Sequence, residues 1–98
     1  MKMTIAGIAL LCLVTAHGAD ANEVAARLCA ASLQPNARLV YDVVSARPQP
    51  EFTLRAVLEA RVRELVFMDR LMRSAARPAA EAASDCLRMA RNCTAENC

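Results

Sequence analysis

Ninety-eight residues with a formal charge of +2 leave room for one domain at most, and the charge is too small to point to nucleic acid. An apolar fraction of 56% excludes a disordered chain, and 22% charged residues is ordinary for a globular one. The aromatic residues are Tyr41, Phe52 and Phe67, too few for a platform on which bases or sugars would stack.

The chain begins with the short basic start Met1-Lys2-Met3, runs uncharged from Thr4 to Ala16, and then turns to small residues before Asp20. Basic, apolar, small is the order of a secretory signal peptide, and the apolar stretch is short for a bilayer core of roughly 30 Å. Ala19-Asp20-Ala21 offers small side chains at both positions that signal peptidase reads. We therefore expect residues 1–21 to be a signal peptide and 22–98 a single small helical domain. Cleavage there removes Cys12 and leaves four cysteines, Cys29, Cys86, Cys93 and Cys98, an even number suited to an oxidising compartment. The expected location is periplasmic or extracellular, and the alanine- and arginine-rich composition points to a bacterial source.

In the mature part, Asn22 is a suitable N-cap for a first helix carrying an apolar stripe of Val24, Leu28 and Ala31, with Cys29 on its flank. Pro35 stops that helix and Asn36 caps a second, whose Leu39, Val40, Val43 and Val44 mark a buried face. Arg47-Pro48-Gln49-Pro50 is a linker. Thr53 caps the third and longest helix, in which Leu54, Val57, Leu58, Val62, Leu65 and Val66 form one broad apolar face. Arg61 falls inside that face and must either reach outward or lie where the face is incompletely covered. Leu65-Val66-Phe67-Met68 is too long an apolar run for one helical face, so the helix turns at Met68-Asp69 or the run meets something on two sides. A fourth helix opens at Ser74 or Arg77, with Pro78 in its first turn, and continues its buried face through Cys86, Leu87, Met89 and Ala90. No period-two alternation persists anywhere. The expectation is an all-α, disulfide-stapled bundle of about four helices, small enough for staples to matter.

Four cysteines allow three pairings. Cys86 and Cys93 on one helix would stand roughly 10 Å apart, beyond disulfide reach. The favoured pattern joins Cys29 to Cys86 and Cys93 to Cys98; the runner-up joins Cys29 to Cys93 and Cys86 to Cys98. The spacing lacks the two-residue separation of a thioredoxin-like redox site and the paired short spacings of a zinc site, so neither metal nor cofactor is expected.

Mature-chain chemistry is restricted further because the single histidine, His17, and both glycines, Gly7 and Gly18, lie in the signal segment. Triads and histidine metal sites drop out, as do glycine-rich phosphate loops. Glu81 and Asp85 share a helical face, but Arg77 and Arg88 stand within reach to make them ordinary surface pairs. We expect no catalytic residues and no enzyme. The function that remains is an exported helical binding or accessory protein engaging an unidentified protein partner or itself. Leu65, Val66, Phe67 and Met68 are its candidate contact surface, with Tyr41 or Phe52 nearby. The competing readings are a membrane-active secreted effector or toxin, and an envelope protein that self-assembles through disulfides. Membrane association after signal cleavage is not expected, because Glu59, Glu64 and Asp69 dilute Arg55, Arg61, Arg63 and Arg70 along the third helix.

Overall fold

The computed structural model describes residues 21–91 and Cys98; residues 1–20, which hold all of the expected signal segment but Ala21, and residues 92–97 lie outside it. The described residues form α1 (Ala21–Ala31), α2 (Pro35–Ala46), α3 (Leu54–Phe67) and α4 (Arg73–Arg91), with no strand among them. The protein is a small all-α bundle in which α4 packs against each of the other three helices. The core gathers Val40 and Val44 of α2, Leu54, Val57, Leu58 and Leu65 of α3, Leu71 of the following turn, and Leu87 of α4.

α1 buries a different face from the one its larger side chains suggest. Val24 is 52% and Leu28 71% exposed, whereas Ala26 and Ala30 are fully covered. The cause is the Cys29–Cys86 disulfide, whose Cα atoms are 5.5 Å apart. That separation brings α1 and α4 close together, and at such a distance only alanine-sized side chains fit between two backbones. Ala83 and Cys86 of α4 supply the facing surface, each with no residual exposure. Asn22 lies in the first turn of α1 rather than capping it from outside.

Pro35 opens α2 instead of merely ending α1, which has already closed at Ala31. Its fixed φ and missing donor suit the first helical position, and Gln34 takes the cap position in place of Asn36 without a side-chain cap bond. Ala37, Val40, Tyr41 and Val44 are buried, with Leu39 and Val43 half-buried against them. Tyr41 therefore belongs to the core and leaves the expected contact surface.

The linker is held from two sides. Arg91 of α4 donates from Nη1 to the Phe52 carbonyl at 2.7 Å and from Nη2 to the Gln49 carbonyl at 3.0 Å. From α3, Arg61 donates through Nη2 to the Gln49 side-chain oxygen at 3.1 Å and through Nη1 to Glu64 at 3.0 Å. Arg61 is thus buried, at 8% exposure, rather than reaching outward, and its Nε is left without a partner. Burying a guanidinium is unfavourable unless its donors are engaged, and here one N–H of each Nη is held, one of them by a carboxylate. Thr53 ends the linker as the N-cap of α3, its hydroxyl accepting from the Ala56 amide at 3.1 Å.

α4 starts at Arg73, earlier than its sequence suggests, and carries Pro78 inside it rather than in its first turn. Pro78 cannot donate to the Ser74 carbonyl one turn back, but Ser74 is exposed and water can satisfy that oxygen. The helix remains worthwhile because its other face is buried through its middle, at Ala79, Ala83, Ser84, Cys86 and Leu87. Met89 and Ala90 fall outside that face and are exposed.

Candidate functional site

The run Leu65-Val66-Phe67-Met68 is divided by the structure. Leu65 is buried, Val66 is half-buried, and Phe67 and Met68 are exposed, Phe67 at 89%. Successive helical residues rotate by about 100°, so Phe67 points nearly opposite to Leu65. Leu65 therefore leaves the candidate contact surface for the core.

A tightly bonded turn holds Phe67 outward. The Arg70 amide donates to the Leu65 carbonyl at 2.9 Å and the Asp69 amide to the Val66 carbonyl at 3.1 Å, the paired bonds of a Schellman motif. Asp69 takes the left-handed conformation at φ 58°, a place glycine normally fills. Residues 22–98 contain no glycine, and aspartate is one of the few other residues that tolerate that region. The Leu71 amide also donates to the Leu65 carbonyl, at 3.2 Å, and the Leu71 side chain is buried. With Leu65 and Leu71 anchored inside, the turn presents Phe67, Met68 at 59% and Met72 at 74% exposure to the outside.

Beside this turn, α3 and α4 line an open groove of about 980 Å³. Leu58, Val62 and Val66 contribute from α3, Ala76 and Ala80 from α4, and Phe67 also faces it. Arg63, Arg73 and Arg77 line the same groove, and none of the three has an ion-pair or hydrogen-bond partner among the described residues. The surface pair expected between Arg77 and Glu81 does not form, whereas Arg88 and Asp85 stand 3.8 Å apart. A second groove, of about 680 Å³, lies between α1, α2 and the linker, with Arg38 and Asp42 paired across its edge at 3.1 Å.

The cysteines serve as staples where they are described. Cys29 is bonded to Cys86. Cys98 is also disulfide-bonded, and its backbone oxygen accepts from the Arg55 amide at 3.2 Å, in the first turn of α3. Cys93, its expected partner, lies outside the described residues. Among the described residues, no group of three or more His, Cys, Asp or Glu side chains could hold a metal ion. Glu81 and Asp85 are both exposed, with no arrangement that would separate them into an acid and a base.

Sequence reasoning missed Met72 and the three unpaired arginines as parts of one surface. The available clue was Asp69-Arg70, a polar pair able to reverse the chain; starting α4 later, on account of Pro78, hid the convergence of Arg73 and Arg77 on Phe67. No protein-family model, curated protein or solved structure matches the chain.

Proposed function

We propose that this is an exported, non-catalytic helical binding module whose contact surface is the α3–α4 turn. The observation that carries this reading is the exposure of Phe67, Met68 and Met72 on a turn that its own hydrogen bonds make rigid. Large apolar side chains held rigidly outward bind with little ordering cost, and methionine adapts its shape to what it meets. Export is supported by the N-terminal order of basic, apolar and small residues and by the oxidised Cys29–Cys86 pair. The absence of histidine and glycine from residues 22–98 supports a binding rather than a catalytic role.

A photo-crosslinking amino acid placed at position 67 in the exported protein tests this. An adduct, lipid or protein, is expected at 67 and not at Asn36, an exposed position at the start of α2. Equal labelling at both positions, or none at 67, overturns the reading. The intact mass of the same sample, beginning at Asn22, reads the cleavage.

A further inference from the structure

We infer that the α3–α4 turn docks on an anionic lipid surface, with Phe67, Met68 and Met72 entering the headgroup region and the surrounding arginines meeting lipid phosphates. This rests on the turn being the contact surface and names what it contacts.

Charge is the first argument. Along α3 alone the arginines are diluted by acids, but the fold removes two of those acids from the count. Glu64 is engaged by Arg61 at 3.0 Å and Arg47 at 3.5 Å, and Glu59 stands 3.9 Å from Arg55. From Leu65 to Ala80, Asp69 is the sole acid, against Arg70, Arg73 and Arg77. Arg63, one turn before Phe67, joins Arg73 and Arg77 along the groove beside it, where Glu81 is the one lining acid without an arginine partner among the described residues, so the groove keeps a cationic excess. An apolar tip ringed by cations on long stems is the arrangement in which arginines reach phosphates while the tip enters the interface.

Shape is the second. At 89% exposure Phe67 touches little of its own protein, so a protein partner would have to supply a whole pocket for it. A bilayer closes around any protruding apolar side chain. A second copy of the chain meeting the same tip would set like charges against each other. The other exposed apolar pair, Val24 and Leu28, has only Arg27 and Glu23 of opposite sign beside it, so it lacks the cationic ring.

The test is sedimentation of the oxidised protein with vesicles of phosphatidylglycerol and, separately, of phosphatidylcholine. Binding is expected on phosphatidylglycerol alone and is expected to weaken at high salt. Arg73→Glu should weaken it by roughly fivefold or more, and Phe67→Ser by roughly tenfold. Leu28→Ser should leave it unchanged. Helix content and the Cys29–Cys86 bond, checked in each variant, establish that the fold is intact. No binding to phosphatidylglycerol, equal binding to both lipids, or indifference to both tip variants overturns the inference, as does loss of binding in Leu28→Ser. If vesicles do not bind while position 67 still captures a protein, the lipid assignment falls and the contact surface stands. If position 67 captures nothing either, both fall.

Discussion

The two ends of the α4 packing surface are built on opposite rules. Where α1 meets α4, Ala26, Ala30 and Ala83 are all but completely buried beside a covalent bond, and the larger Val24 and Leu28 face outward. Where α3 turns into α4, large side chains do the anchoring, Leu65 and Leu71 inside, with Phe67, Met68 and Met72 left outside. Three alanines remove little apolar surface from water, so the first contact depends on the disulfide. Leucine burial and a hydrogen-bonded turn secure the second, which can carry an exposed apolar tip without fraying. The exposed apolar tip thus stands apart from the thinnest packing in the bundle.

The largest effect should come from breaking the first contact. The Cys29–Cys86 bond closes a loop of sequence separation 57. In the chain-entropy picture that is worth about 4 kcal/mol. A Cys29→Ala, Cys86→Ala double variant should lose about that much in denaturant unfolding, and a loss below about 1 kcal/mol would show that alanine packing holds α1 unaided. At the second end, Leu65→Ala should cost about 2–4 kcal/mol. Phe67→Ser, two residues away, should change stability by less than about 0.5 kcal/mol. Equal losses in the two variants would mean that Phe67 is a packing residue after all. The smallest effect sharpens the account of the turn. Asp69→Gly should stabilise by about 0.5–1 kcal/mol, read as a higher midpoint, because glycine adopts the left-handed conformation without the Cβ clash. A destabilised variant would mean that the Asp69 side chain contributes more than its backbone strain costs.

Much of the helical organisation is legible from single residues. Thr53 caps α3 as its side chain and position suggest, and Arg47-Pro48-Gln49-Pro50 separates α2 from α3 because each proline disfavours helix in the residue before it. Reach alone left Cys29 a choice between Cys86 and Cys93; the packing of α1 beside α4, with Cα atoms 5.5 Å apart, decided for Cys86. The stretch Leu65–Met68 is identifiable as anomalous, but which of its members faces out depends on where the helix ends. That was decided by the Asp69 turn, which the absence of glycine disguises.

What the sequence determined by itself is what acts over one or two turns of chain: the four helices and the breaks between them, the Thr53 cap, and the types of chemistry available. The tertiary structure decided which faces are used. Ala26 and Ala30 displace Val24 and Leu28 from the interior because a disulfide sets how near two backbones come, and apolar periodicity records only side-chain character. Arg61 is buried because Gln49 and Glu64, distant from it along the chain or one turn ahead, both turn toward its donors. Arg63, Arg73 and Arg77 share one groove because the hydrogen-bonded turn at Asp69 folds α4 back along α3, a convergence between residues up to fourteen apart that no local pattern encodes.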